Sequence, residues 1–557
     1  MAKNIKISAI LMMLLVSNIL HFLIKYTIND LDTTLYFNKS SYFISALSDS
    51  RYAVLFFTVT LFFMFNYKNI TWNKFSDKTA LIVFIVIVSF PIFWEQFFYD
   101  YNYYLDSDFY IDKIAILFSV LLIFVHPLFS FFILFIGLTV RNSITFPLDY
   151  LHGNHWIDVR PVYDILILFV SFLILKSTRR FKDINSNVFI FLALTIHASN
   201  YFVPAIAKIE ISPHGWEWTF IDNINNLFIS SYVNGWLGFV NENTILKIAR
   251  WMDSVDYLIT IGTMCIQLGA IFLLYNRKIT IYMFLLFEVL HFGIIFATGI
   301  VFMAWIVVNL GFLYLIKHLS NDSLKSLYNK NTFMLFMIVV FLSPLFYRPS
   351  VLGWWDSNIN TVYDIYAIAQ NGKEYKLNSQ DLSPYDTVFA QNNLSYIDKQ
   401  PTLVNNYGFL LKDLNYYSHS FLIILNNISG ARLQSLIDSY KNDSFEVYEK
   451  LEHAKSIKEI REILKIYGYY NFDKPKLHEL KLFLNKYFSN YNKKLKKEPL
   501  YKKLGAPYQL YDLSTKRVKG DIKIKHIKII KSNVWYDKRH YEIKRFDKKI
   551  LIDMDIK

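Results

Sequence analysis

An apolar stretch, Asn200-Tyr201-Phe202-Val203-Pro204-Ala205-Ile206-Ala207-Lys208-Ile209-Glu210, ends on a lysine at the point where a membrane helix leaves the bilayer. Two kinds of chemistry fit that position. Lys208 can anchor the helix, with its stem in lipid and its ammonium among the headgroups. Or its amine, partly desolvated, can be available unprotonated and act as a base. A second group bears on the choice. His155, in Gly153-Asn154-His155-Trp156, precedes another apolar stretch. A histidine beside a tryptophan suits the aromatic belt of a membrane interface. If the two helices pack together, its imidazole can instead hydrogen-bond the Lys208 amine and hold it neutral, as a base requires.

Further polar groups fall within apolar segments, where ionisable side chains are costly and suggest function. Glu288 and His291 lie three residues apart on one helical face, either as a buried ion pair or lining a cavity. His197 stands one turn from Tyr201 and can point the same way. The segment 208–254 is rich in aromatics, among them Trp216, Trp218, Phe220, Phe228, Tyr232, Trp236 and Phe239. It can lie flat on the membrane or form a lid over a pocket for a flat, apolar molecule. No phosphate-cradling loop, metal-ligand spacing or nucleophile elbow occurs, so no metal is expected. Any chemistry is acid–base work by a lysine and a histidine, or belongs to a cofactor.

The elements that must position these residues are membrane helices. Of 557 residues, 54% are hydrophobic and 18% aromatic, and the apolar residues come in blocks near the ~20 residues that span a bilayer. About nine to ten segments are expected, near 7–24, 52–67, 79–97, 113–140, 161–176, 187–207, 255–275, 279–296, 300–317 and 333–347. Pro127 is a break point inside 113–140, making that block a double crossing or a re-entrant hairpin. The first segment lacks a small-x-small cleavage site and reads as a retained helix. Lysine and arginine in the short loops 68–78, 177–186, 277–278 and 317–330 put those loops in the cytoplasm. The N-terminus is then cytoplasmic, and the acidic stretch 98–112 and the tail lie outside.

Residues 1–347 thus form a polytopic α-helical membrane domain, and 348–557 an extracytoplasmic domain. The latter is expected to be α+β or β-sandwich-like, with strands in 362–408, helices in 430–492 and strands again in 521–556. The net charge of +14 sits mostly in this tail without a nucleic-acid motif, so no nucleic-acid partner is expected. Cys265 is the single cysteine of the chain, which excludes an intramolecular disulfide.

The segment Tyr201-Phe202-Val203-Pro204-Ala205-Ile206-Ala207-Lys208-Ile209 and the upstream Asn154-His155 together resemble the HTTM superfamily, the membrane fold of the vitamin K-dependent gamma-carboxylases. The resemblance covers roughly residues 1–347 and is strongest over 150–317, with a further match at His291 through Trp305. The family's second, adjacent lysine is Ala207 here. The resemblance implies that Lys208 is the catalytic base and His155 its assistant. It also implies a cofactor, reduced vitamin K or a menaquinol-type naphthohydroquinone, with O2 and CO2 as co-substrates. Asn154, Trp156, His197, Tyr201, Trp216, Trp218, Glu288 and His291 are the expected cofactor-binding residues. The expected reaction couples quinol oxygenation to carboxylation of glutamate in an extracytoplasmic protein or peptide. The alternatives are a non-carboxylating HTTM protein in peptide maturation or export, and a membrane-anchored protein that binds a partner. The expected location is a bacterial inner or plasma membrane.

Overall fold

The computed structural model describes residues 5–29, 31, 40–98, 109–143, 155–210, 214–347, 355–377, 382, 409–410, 444–466, 474–494 and 522–557. The chain is mostly helical and divides into two compact units. One takes Met1–Val203, Ile266–His291 and Phe302–Ser350, the other Pro204–Cys265, Phe292–Val301 and Val351–Lys557. One boundary of the division lies beside the 347/348 junction expected from composition.

The first unit holds α1 (Ile7–Asn29), α2 (Tyr42–Ala46), α3 (Ser50–Phe65), α4 (Lys78–Phe98), α5 (Tyr110–Ile123), α6 (Phe129–Ser143), α7 (His155–Ser177) and most of α8 (Ser186–Glu210). Glu217–Ile221 (α9), Ile224–Val233 (α10) and Glu242–Gly269 (α11) follow, then Arg277–Thr298 (α12) and Met303–His318 (α13). Asn321–Leu327 (α14), Lys330–Phe341 (α15) and Ser343–Phe346 (α16) close the helical part. Helix α4 packs against α5, α6, α7 and α13, and α1 packs against α7. The break expected at Pro127 is present: α5 stops at Ile123 and α6 starts at Phe129, and between them His126 stacks on Tyr67 at 3.9 Å.

Five helices are long and apolar enough to cross a membrane, namely α1, α4, α8, α11 and α12. A sixth is added if α13 and α14, bent by 117°, count as one span. Helices α3, α6 and α15 are apolar but shorter. Of the candidates α8 is the most enclosed, with 94% of its most apolar window buried against 28% for α11.

In the second unit, β1 (Trp355–Asp356) pairs with β4 (Phe409–Leu410). Strands β2 (Ile359–Ala369), β3 (Glu374–Lys376), β5 (Ile524–Asp537) and β6 (Glu542–Asp555) form an antiparallel sheet of order β3-β2-β5-β6. Helix α10 packs on β1, β2 and β5, where Phe228, Ile229, Val362, Val534 and Tyr536 share one buried core. Among the described residues the sheet is covered by this helix rather than by a second sheet of similar size. Among the described residues that arrangement is α+β. Helices α17 (Ser444–His453), α18 (Ile457–Ile466) and α19 (Lys474–Lys494) occupy the expected helical stretch. The expected strands in 383–408 lie outside the described residues.

Gly299, just past α12, has φ +69°, and a Cβ there would stand 2.5 Å from the Trp236 ring. Trp236 Nε1 in turn donates to Phe296 O at 3.0 Å. Only glycine meets both the backbone angle and the close approach.

In the first unit a buried ion pair joins α4 to α6, with Arg141 Nη1 donating to Glu95 Oε2 at 2.6 Å. Removing one partner of such a pair leaves a charge without compensation and costs about 3–5 kcal/mol. Arg141→Met should therefore lower the melting temperature of the detergent-solubilised protein markedly. Glu95→Leu combined with Arg141→Met should recover much of the loss. A single substitution as mild as the double one would show that the pair holds nothing together.

Candidate functional site

Polar groups of the first unit converge where α8, α12 and α13 meet. His197 and Tyr201, four residues apart, lie on one face of α8. Asn309 of α13 faces them from an otherwise apolar run, Ile306-Val307-Val308-Asn309-Leu310. His197 Nε2 meets Asn309 Oδ1 at 2.5 Å. The amide oxygen only accepts, so the imidazole carries its proton on Nε2. Asn309 Nδ2 donates to Glu288 Oε1 at 2.7 Å and to the Tyr201 hydroxyl at 3.2 Å. Nδ1 of His197 is buried and has no hydrogen-bond partner among the described residues.

Aromatic rings enclose this cluster. Tyr201 stacks flat on Phe287, centroids 3.7 Å apart and planes 4° apart. His197 has Phe312 at 5.1 Å, Phe284 at 5.8 Å and Trp305 at 6.0 Å. His291, buried, lies 5.9 Å from both Tyr201 and Trp305. Glu288 and His291 do not form the ion pair that their spacing offers, because Glu288 reaches across to α13 instead.

Lys208, one of the last residues of α8, belongs to the second unit. It is 8% exposed, and its Nζ stands 5.1 Å over the ring of buried Trp218. Asp356 and Asp222 both act on it electrostatically. These carboxylates are themselves buried, and Asp356 N donates to Asp222 Oδ1 at 2.8 Å. Asn226 Nδ2 donates to Asp356 O at 2.6 Å and to Glu452 Oε1 at 2.8 Å. Glu452 also receives Lys538 Nζ at 2.7 Å. Burial, with the charge of Asp356 second, pushes the Asp222 carboxyl well above the usual carboxylate range. The arrangement is a buried amine over an indole face, with two buried carboxyl groups acting on it electrostatically.

The residues expected from the sequence thus separate. His197, Tyr201, Glu288 and His291 come together in one unit, while Lys208 and Trp218 come together in the other. Trp216 precedes α9 and is half exposed. His155 and Trp156 open α7 with side chains outside the described residues, and Asn154 lies outside them altogether. Asn309, Asp222 and Asp356 were not singled out from the sequence. An amide inside a run of valine and leucine is a signal that could have found Asn309, whereas the burial of Asp222 is purely tertiary. Among the described residues, no group of three or more His, Cys, Asp or Glu side chains is arranged to hold a metal.

Searches against protein-family models, curated proteins and solved structures return no match to this chain.

Two outcomes are expected. Asn309→Leu strands both His197 and Glu288, at about 1–3 kcal/mol for each group left unpaired. It should lower the melting temperature in detergent by more than His197→Leu does alone, and equal losses would deny Asn309 its bridging role. Asp222 has a native pKa raised above its unfolded value. Its contribution is therefore full below the unfolded pKa, about 3.9, and declines as pH rises toward the raised native one. Asp222→Asn, which keeps an acceptor for Asp356 N, should flatten the fall in melting temperature between pH 5 and pH 8. An unchanged pH profile would mean that Asp222 ionises normally.

Proposed function

We propose that this chain is an integral membrane enzyme resembling the HTTM-type, vitamin K-dependent gamma-carboxylases, with Lys208 as its base. The observation that carries the proposal is the Lys208 amine, buried at the end of a membrane-length helix and held over the face of Trp218. On this reading the shorter apolar helices complete nine to ten membrane segments. The N-terminus is cytoplasmic, and the sheet-bearing domain stands outside a bacterial-type inner membrane.

A reduced naphthoquinone suits this donor set. It is a flat aromatic diol, and Trp218 offers a flat aromatic face beside a basic nitrogen. When bound, the quinol would supply, together with dioxygen, a base stronger than any side chain for work on a glutamate of an extracytoplasmic protein or peptide. The chain's own residues do simpler things. Lys208 Nζ accepts a phenolic proton, and the protein core around it excludes water. The resemblance gives His155 the role of holding Lys208 neutral. The cluster of His197, Tyr201, Glu288, His291 and Asn309 holds the middle of the same helix, about two to three turns before Lys208.

Purified wild type should epoxidise naphthohydroquinone when given dioxygen, bicarbonate and a glutamate peptide. Lys208→Ala should lose roughly 10²-fold or more of that rate, the scale of a general base, while keeping the wild-type melting temperature within a few degrees. Organic extracts of the wild type should contain a naphthoquinone. A folded Lys208→Ala variant with full activity would falsify the assignment of the base. Absence of both epoxide and bound quinone would favour the peptide-maturation or anchor function.

A further inference from the structure

A cavity in the first unit lies apart from the residues used above. It is lined by Ser17, Asn18, His21 and Phe22 of α1, Asp164 and Ile167 of α7, Ile196 of α8, and Phe346 and Tyr347. Its polar wall is rich in acceptors. Asp164 is buried, and its Oδ2 makes no short hydrogen bond among the described residues beyond its ion pair with Arg160. The buried Tyr347 hydroxyl has none either. Asn18 uses its amide nitrogen on Leu14 O at 2.9 Å, which leaves an acceptor oxygen to offer. Arg160 stands at the border, with Nε 3.5 Å from Asp164 Oδ2 and Nη2 donating to Tyr347 O at 3.0 Å. Phe22, Ile167, Ile196 and Phe346 supply an apolar wall.

Carboxylate, amide oxygen and hydroxyl converging on one cavity suit a group with several N–H donors and no acceptors, which is a primary ammonium. A guanidinium beside them suits a phosphate, and the apolar wall suits an acyl chain. We propose that this cavity binds the headgroup of an aminophospholipid, with its ammonium on Asp164 and Tyr347 and its phosphate toward Arg160. The inference rests on the membrane reading alone and is independent of the quinol chemistry. A quaternary ammonium, lacking N–H donors, satisfies none of the acceptors, and a glycerol headgroup lacks the positive charge.

The test is native mass spectrometry of the full-length protein, released from detergent micelles doped with equal amounts of phosphatidylethanolamine, phosphatidylcholine and phosphatidylglycerol. Wild type should retain phosphatidylethanolamine about tenfold over either competitor, the scale of one hydrogen bond to a charged group. Asp164→Asn should abolish the preference. Because that variant also disturbs Arg160, Tyr347→Phe serves as the second probe: it deletes a hydroxyl that has no hydrogen-bond partner among the described residues, so the fold should persist while retention falls. A parallel arm adds ethanolamine alone, and stabilisation by the free amine without lipid selectivity would replace the lipid by a soluble amine ligand. Equal retention of the three lipids with no response to ethanolamine, or a preference untouched by both substitutions, would overturn the proposal. Epoxidation by the same preparations reports separately on Lys208.

Discussion

A polar group inside a dry bundle of helices must find its partner in the bundle, and Asn309 finds one on each side. Its oxygen accepts a hydrogen bond from His197 on α8, and its nitrogen donates one to Glu288 on α12. Apolar contacts between helices tolerate sliding, because leucine against phenylalanine in one register resembles leucine against phenylalanine in the next. An amide bonded at both ends does not. Moving α13 by one residue would rotate Asn309 by about 100° and unmake both bonds. The aromatic stacking of Tyr201 on Phe287 and the edge contacts of Trp305 are then consequences of a register that the amide fixes.

The second unit solves the same problem with backbone as well as side chains. Segments distant in sequence are tied by Asn226 to Asp356 O, by Asn358 to Leu451 O and by Tyr448 to Ile221 O. Trp355 stacks on Tyr448 at 5.0 Å and closes the same seam. These bonds explain why residues 204–265, enclosed between membrane-length helices in the sequence, belong with the sheet-bearing part of the chain. A carbonyl at the end of α9 would be costly if buried without a partner, and Tyr448 of the tail supplies one for Ile221 O.

Much of the helical architecture was legible in the sequence, because long apolar runs have few other ways to satisfy their backbone. The division after Ile123 was readable from Pro127. Strand β5 was readable from the alternation of isoleucine and lysine in its first half. Its second half is buried on both faces, because β5 is a central strand with α10 upon it, and alternation then carries no signal. The site was legible only in part. His197 and Tyr201 follow from helical spacing within one element. Glu288 was matched to His291 by the same spacing, but its real partner comes from another helix. Attention to ionisable groups passed over Asn309, an uncharged residue that holds the others.

Buried polar groups with every bond made need no explanation beyond the fold. Glu95 with Arg141, Tyr52 with Thr139 and Trp72 Nε1 with Ile123 O are of that kind. Apolar replacements of similar shape would hold the helices about as well, so such pairs contribute register more than stability. The informative groups combine deep burial with bonding capacity left over. His197 Nδ1 and the Tyr347 hydroxyl have it among the described residues, and each sits where a second feature, an aromatic cage or a cavity, could admit a ligand. Lys208 is informative for another reason: its amine is buried over the ring face of Trp218, and Asp356 and Asp222 act on it electrostatically.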